Sequence, residues 1–131
     1  MADVLIADDD ADLRATLRAI LEEEGHRVTE TSTGQTTLDA LRNSSAGCIT
    51  LLNLAMPDLD GVDVLRAVQR DATLAQRHVY VVISANTGAL WDSAQLLIAA
   101  LDGFMVRKPF DIDEFLAVIA HAAARLSARA S

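Results

Sequence analysis

The sequence has one cysteine, few basic residues and no long apolar run, and each scarcity excludes a class of protein. Cys48 cannot form an internal disulfide, which is typical of a chain in a reducing cytoplasm. Eleven Lys and Arg against nineteen Asp and Glu give a net charge of −8, which repels nucleic acid. No apolar stretch has the length of a membrane span, and the N-terminus is unlike a signal peptide. We expect a cytoplasmic protein that binds neither nucleic acid nor membrane.

The composition is that of one globular domain. Of the 131 residues, 51% are hydrophobic and 23% are charged. A chain of this size and composition has enough apolar material for one core and is not typical of a disordered segment. We therefore predict a single domain over residues 1–131.

Short apolar strands alternate with amphipathic helices along the whole chain. The predicted strands are 4–7, 26–31, 48–52, 79–83 and 104–106. Apolar residues at helical spacing follow each strand. In the first helix this spacing leaves Arg14, Arg18 and Glu22 on the solvent face, and the third helix is predicted over 61–69. The continuous apolar strands indicate a parallel sheet that is covered on both faces.

Five such strand–helix pairs predict an α/β fold with helices on both faces of the sheet and right-handed crossovers. The flavodoxin-like strand order 2-1-3-4-5 is the arrangement we expect. In such sheets the functional groups lie at the carboxyl ends of the strands. Five polar residues follow predicted strands and should converge there: Asp8, Asp9, Asn53, Ser84 and Lys108.

The adjacent carboxylates of Asp8 and Asp9 predict a cation site. Two such groups repel each other unless a positive charge lies between them, and Mg²⁺ prefers oxygen ligands. The alternative is that Asp10 caps the following helix while its neighbours are solvated. The hydroxyl of Ser84 and the ammonium group of Lys108 at other strand ends favour the cation site.

These elements, in this order, resemble the receiver domain of bacterial two-component response regulators over essentially the whole chain. The residues that carry the resemblance are the acidic run 8–10, Asn53, Met56-Pro57, Ser84 and Lys108-Pro109. In that family an aspartate at the position of Asn53 accepts a phosphoryl group. The resemblance identifies the chain as a signalling module that is not an enzyme.

The resemblance also implies roles for the site residues. Asp9 would bind Mg²⁺ directly and Asp8 mainly through water, with the Asn53 side chain and the Ala55 backbone carbonyl as further ligands. Ser84 would contact a phosphoryl oxygen. Lys108 would pair with carboxylate or phosphate, and the bond between Lys108 and Pro109 would be cis.

Asn53 is the main departure from the family pattern. Phosphoryl transfer to a receiver requires a carboxylate oxygen as nucleophile, and an amide oxygen carries no full charge. We therefore predict that this chain is not phosphorylated at Asn53 and that it binds Mg²⁺ more weakly. Two origins stay open: a natural pseudo-receiver that acts through protein contacts, or an engineered substitution in a working receiver.

A second departure concerns the residue three positions before the lysine, where the family usually has Tyr or Phe. This chain has Met105 there, and Phe104 should point to the opposite face of the strand. The aromatic switch of the family is thus in doubt, unless a local change of register returns Phe104 to the usual place.

The resemblance implies two kinds of partner. One is a histidine kinase or phosphotransfer protein, and the other is a second copy of the chain bound through the fourth helix, fifth strand and fifth helix. Trp91, at the start of the predicted fourth helix, is either an interface anchor or a residue at the rim of the core. His26, His78 and His121 are predicted to lie on the surface.

Other functions on this architecture are less consistent with the residues. A phosphorylation-independent interaction module needs no acceptor and is the main alternative. A Mg²⁺-dependent phosphotransfer enzyme would need the carboxylate that Asn53 lacks. A flavin carrier would need a phosphate-binding loop after the first strand, where three aspartates would repel phosphate instead.

Overall fold

The computed structural model describes residues 1–85 and 88–130, along which strands and helices alternate. The strands are β1 Asp3–Ala7, β2 Arg27–Thr31, β3 Ile49–Leu52, β4 Val79–Ser84 and β5 Phe104–Arg107. The helices are α1 Ala11–Glu23, α2 Gly34–Asn43, α3 Gly61–Gln69, α4 Ala72–Arg77, α5 Ala89–Leu101 and α6 Ile112–Ala130.

The strands form one parallel sheet of order β2-β1-β3-β4-β5, which confirms the predicted flavodoxin-like fold. Ala7 at the end of β1 lies opposite Leu52 at the end of β3. Ser84 at the end of β4 lies opposite Arg107 at the end of β5. The residues that follow these strands therefore leave the same edge of the sheet.

The short helix α4 was not predicted from the sequence. Asp71 caps it, because its side chain accepts hydrogen bonds from the backbone N–H groups of Thr73 and Leu74. Leu74 anchors the helix and is only 2% exposed. Six residues are too few to display the apolar period of a helix. The predicted fourth and fifth helices correspond to α5 and α6.

Two apolar clusters cover the two faces of the sheet. One packs α2, α3, α4 and α5 against residues such as Leu52 and Val82. The other packs α1 and α6 against residues such as Leu51 and Val81. Neighbouring residues of one strand thus serve opposite clusters, which explains why β3 and β4 are apolar throughout. Complete burial of a side chain of this kind contributes roughly 1.5–3 kcal/mol to the free energy of folding.

The helices are amphipathic and bury one face each. In α6, the longest, the buried positions are Phe115, Ile119 and Ala122. This spacing places one turn after another against the sheet. Within the described part of the chain, none of the helices combines the length and the apolar character that a membrane crossing requires.

His78 is not a surface residue, contrary to the sequence prediction. It precedes β4 and has 0% exposure. Its Nδ1 accepts from the backbone N–H of Cys48 (3.1 Å), and its Nε2–H donates to the carbonyl of Leu41 (3.2 Å). Burial lowers the pKa of this imidazole, so its neutral form is favoured. The residue is a buried link between α2, β3 and β4.

Candidate functional site

The polar residues at the carboxyl edge of the sheet are held by backbone hydrogen bonds that continue the strand ladders. The N–H of Asp8 donates to the carbonyl of Thr31 (3.1 Å), and the N–H of Asn53 donates to that of Ala7 (2.9 Å). The N–H of Lys108 donates to the carbonyl of Ser84 (2.9 Å). The sheet thus brings Asp8, Asn53 and Lys108 to one edge from three separate strands.

Asp8 is the buried member of the acidic pair. Its side chain accepts from the Asp10 N–H (2.9 Å) and from Lys108 Nζ (3.3 Å). Burial raises the pKa of its carboxyl group, and the Asp10 N–H and the Lys108 ammonium oppose that shift. Asp9 is exposed. The pair therefore consists of one carboxylate fixed under the edge and one that faces solvent.

Asp10 caps α1, as the alternative sequence interpretation required. Its side chain accepts from the N–H groups of Asp12 (3.0 Å) and Leu13 (3.1 Å). The cap accounts for Asp10 alone, because Asp8 and Asp9 are directed to the edge of the sheet where Asn53 and Lys108 lie.

The amide nitrogen of Asn53 faces the acidic pair. Nδ2 donates to the carbonyl of Ala55 at 2.8 Å and lies 3.5 Å from Oδ1 of both Asp8 and Asp9. Three oxygen atoms thus converge on the two amide hydrogens. Asn53 is 8% exposed, so its amide adds a buried donor to the compensation that Asp8 receives from the Asp10 N–H and from Lys108.

The oxygen atoms of this site suit a hard divalent cation. Asp8, Asp9 and the Ala55 carbonyl are ligands of the type that Mg²⁺ prefers. Asn53 would contribute its oxygen only after its amide group had rotated by half a turn. Over 1–85 and 88–130, no three residues of the His, Cys, Asp and Glu types gather as a metal-binding set.

The loop between β3 and α3 packs closely against the first residues of two helices, Gly34 of α2 and Gly61 of α3, and leaves no room for a side chain at either. A Cβ atom on Gly61 would lie 2.6 Å from the Asn53 carbonyl oxygen, and one on Gly34 would lie 2.1 Å from that of Leu59. The N–H of Gly61 donates to the carbonyl of Leu54 (2.7 Å). These contacts hold the loop against the start of α2 and fix the backbone around Asn53.

The end of β5 carries the cation of the site. Lys108 Nζ lies 3.3 Å from Asp8 Oδ2, and the lysine side chain is 23% exposed. The bond between Lys108 and Pro109 is cis. Ser84 is fully buried at the end of β4. The ammonium group of Lys108 thus forms an ion pair with Asp8 on the side of the acidic pair that faces β5.

Phe104 and Met105 lie on opposite faces of β5. Phe104 packs with the α6 cluster, under the guanidinium group of Arg125 at 4.5 Å from the ring centre. Met105 packs with the α5 cluster. The structure thus has no register change that would exchange the two side chains.

Trp91 is only 8% exposed and belongs to the core cluster under α5. The guanidinium group of Arg107 covers its ring at 4.1 Å from the centre. This burial agrees with a residue at the rim of the core. An exposed interface anchor would leave more of the ring open to solvent.

Arg14, which the sequence analysis assigned to the solvent face of α1, contacts the backbone of the acidic site. One of its terminal nitrogens donates to the backbone carbonyl of Asp8 (2.7 Å), and its Nε donates to Glu30 (2.8 Å). The period of the helix places Arg14 outward, and its partners belong to other elements. No pattern within one helix reveals such contacts.

The sheet order and the polar residues at its carboxyl edge place the chain in the class of flavodoxin-like α/β proteins. The profile of the response regulator receiver domain matches residues 4–120. The chain belongs to this family, whose members are signalling modules of two-component systems.

Relatives and solved structures agree with this membership. The transcriptional regulatory protein KdpE of Mycobacterium tuberculosis is 35% identical over 127 residues, which are 97% of this chain and 53% of that protein. The chain thus spans about half the length of the curated relatives that it matches first.

Two solved structures share the fold. A CheY-like receiver domain from Methanospirillum hungatei has a TM-score of 0.77 at 27% identity, over 94% of this chain and 95% of that one. The receiver domain of a putative LuxO repressor from Vibrio parahaemolyticus has a TM-score of 0.83 over 96% of this chain and 92% of that one. The second, at 21% identity, supports the fold alone.

Proposed function

We propose that the chain is a single receiver module over 1–131 in which Asn53 holds the phosphoacceptor position and prevents phosphorylation. The observation that carries this proposal is the place of Asn53. It follows β3 at the carboxyl edge, and its amide nitrogen faces Asp8, Asp9 and the Ala55 carbonyl.

The chemistry of the amide supports an inactive acceptor. A phosphoryl acceptor attacks through an oxygen lone pair that carries negative charge, as in an aspartate. The lone pair of the Asn53 nitrogen is delocalised into the carbonyl group. The amide hydrogens point at Asp8, Asp9 and the Ala55 carbonyl, so they lie where a cation that assists phosphoryl transfer would bind.

The same geometry supports weak binding of Mg²⁺. Asp8, Asp9 and the Ala55 carbonyl would hold the ion, with the Asn53 oxygen as a fourth ligand after rotation of its amide. That rotation removes a 2.8 Å hydrogen bond to Ala55. When bound, Mg²⁺ would neutralise charge on phosphoryl oxygens, toward which Ser84 and Lys108 would donate.

The partners follow from family membership. A histidine kinase or phosphotransfer protein would contact the carboxyl edge of the sheet. A second copy would bind the face made by α5, β5 and α6, where Leu96 is 77% exposed. A purely phosphorylation-independent interaction module is favoured by the contacts already formed among Asp8, Asn53 and Lys108.

Intact mass spectrometry tests this function. The chain and its Asn53→Asp variant would each be incubated with acetyl phosphate and Mg²⁺. We expect only the variant to gain the mass of one acid-stable, base-labile phosphoryl group. Modification of the unaltered chain would contradict the inactive acceptor, and modification of neither would favour the interaction module.

Asn43→Asp is the matched control. It makes the same change of mass and charge at an exposed position at the end of α2. This control should remain unmodified. A phosphoryl group on both variants would show that a new carboxylate reacts wherever it is placed.

A further inference from the structure

Arg14 joins the acidic site to the edge strand β2. The residue lies in the second turn of α1, and its side chain folds back toward the start of the helix. It donates to the backbone carbonyl of Asp8 at 2.7 Å and to Oε1 of Glu30 at 2.8 Å. Its side chain is only 18% exposed, and the bond to the Asp8 carbonyl is partly buried whereas the bond to Glu30 is exposed.

Glu30 holds Arg14 in this position. Its two carboxylate oxygens accept from the Nε atoms of Arg14 (2.8 Å) and Arg18 (2.6 Å). The hydrogen bonds from Arg18 and then Arg14 lower the pKa of Glu30, so the carboxylate is charged at neutral pH. A guanidinium group bound at two points has little freedom to leave the Asp8 carbonyl.

The bond to Asp8 fixes the peptide unit that leads to Asp9. The N–H of Asp8 already donates to Thr31, and its carboxylate accepts from Asp10 and Lys108. The backbone carbonyl of Asp8 accepts from Arg14, so the N–H, the side chain and the carbonyl of this residue all have hydrogen-bond partners. Asp9 itself is exposed, and its side chain lies 3.5 Å from the Asn53 amide.

We propose that Arg14 is a positioning residue of the acidic site: its bond to the Asp8 carbonyl sets the Asp8–Asp9 peptide and so directs the Asp9 carboxylate toward Asn53. Arg14 lies behind the peptide and adds positive charge without entering the site. This role deepens the proposed function, since the same peptide would present Asp9 to a cation.

Matched variants separate positioning from general stabilisation. Arg14→Met keeps an unbranched apolar side chain that corresponds to the stem of the arginine, but it removes the donors. Arg18→Met is the control, because it removes an equal charge and a bond to the same Glu30. Among the described residues, Arg18 bonds to Glu30 and Glu22 and not to Asp8. Arg14→Lys keeps a positive charge and a hydrogen-bond donor on a side chain of nearly the same length.

The first measurement uses nuclear magnetic resonance on the labelled chain and does not depend on phosphorylation. The signals are the Asp8 carbonyl carbon, the Asp9 amide and the Asn53 side-chain amide. We expect all three to shift in Arg14→Met, to stay in place in Arg18→Met and to return toward their original values in Arg14→Lys. Equal shifts in both methionine variants, or none in Arg14→Met, would overturn the role of Arg14. If Arg14→Met does not fold, the milder pair Arg14→Gln and Arg18→Gln replaces it: shifts of the three signals in Arg14→Gln alone are expected, and equal shifts in both variants would overturn the role of Arg14.

The second measurement is Mg²⁺ affinity by calorimetry in the Asn53→Asp background. Loss of a residue that orients a ligand typically lowers metal affinity about 10-fold or more, and we expect this for Arg14→Met but not for Arg18→Met. If Asn53→Asp alone takes up no Mg²⁺, the proposed metal site is wrong, while the resonance shifts still decide the role of Arg14. Equal affinities with shifted resonances would limit that role to the metal-free site and overturn its extension to the cation.

Discussion

At the amino end of the sheet the buried side chains of His78 and Tyr80 bond to backbone groups, whereas at the carboxyl end the polar side chains contact one another as well as the backbone. His78 contacts the N–H of Cys48 and the carbonyl of Leu41, and the Tyr80 hydroxyl donates to the carbonyl of Leu74 (2.9 Å). At the other end, Lys108 contacts Asp8, and the Asn53 amide faces both Asp8 and Asp9.

The difference separates a structural network from a chemical site. Bonds to backbone groups link elements whose relative positions the core already fixes. Bonds between charged side chains join groups that can exchange partners with a cation or an oxyanion. The amino end should therefore govern stability, and the carboxyl end should govern the response to ligands.

The largest expected effect is at His78. Replacement of His78 with Leu leaves the Cys48 N–H and the Leu41 carbonyl buried without partners, at about 1–3 kcal/mol each. We expect the free energy of unfolding to fall by about 3 kcal/mol, measured by urea denaturation. His121→Leu, at an exposed position of α6, should change it by less than about 0.5 kcal/mol. A similarly small change at His78 would contradict the network.

Arg129 should have the next largest effect. Its guanidinium group donates to the carbonyls of Ala75, His78 and Leu101. Ala75 and Leu101 lie near the ends of α4 and α5, where the helix dipoles favour a cation. We expect Arg129→Ala to lower the free energy of unfolding by about 2 kcal/mol in urea. The exposed Arg70 at the end of α3 provides the control, and an equal loss in Arg70→Ala would remove the special role of Arg129.

The sequence predicted the fold because hydrophobic periodicity is a local property, and a run of five strand–helix pairs restricts the order of the strands to a few arrangements. Continuous apolar strands and amphipathic helices identify the layers, and the residue after each strand then lies at a known edge. Asp8, Asn53 and Lys108 could be brought together by this argument alone, and the structure places them within reach of one another.

What the sequence could not predict depends on contacts between distant segments. His78 and Leu41 are 37 residues apart, and nothing near His78 indicates a buried partner. Arg14 lies on the outward face of its helix but bends back to the acidic loop. The direction of the Asn53 amide is likewise set by three oxygens from two loops.

At the carboxyl end, a smaller and ion-dependent effect is expected from Asn53→Asp. The variant loses the donor to the Ala55 carbonyl and adds a third carboxylate next to Asp8 and Asp9. Without Mg²⁺ we expect a loss of about 1–2 kcal/mol, seen as a melting temperature several degrees lower, and recovery when Mg²⁺ is added. The control Asn43→Asp should not respond to the ion. If the variant and the unaltered chain melt at the same temperature with and without Mg²⁺, the Asn53 amide does not offset the charge of Asp8 and Asp9 as a bound cation would.

The smallest effect is the pH dependence that His78 contributes at the amino end. Burial lowers the pKa of His78 in the folded chain, whereas the unfolded imidazole takes up a proton near pH 6.5. Between these two pKa values the unfolded state binds more protons, so stability falls as the pH falls. Protonation of Nδ1 would also remove the acceptor of the Cys48 N–H.

Urea denaturation at pH 7.5 and pH 5.5 isolates this contribution. We expect the unaltered chain to lose about 1 kcal/mol more than His78→Leu over this interval, since one proton corresponds to at most about 1.4 kcal/mol per pH unit. The pKa of His26 is also lowered by burial, but His26 and the carboxylates of the acidic site are present in both proteins and cancel in the difference. The same pH dependence in both proteins would mean that protonation of His78 does not destabilise the fold. The contrast between the two ends of the sheet would then rest on the hydrogen-bond partners alone.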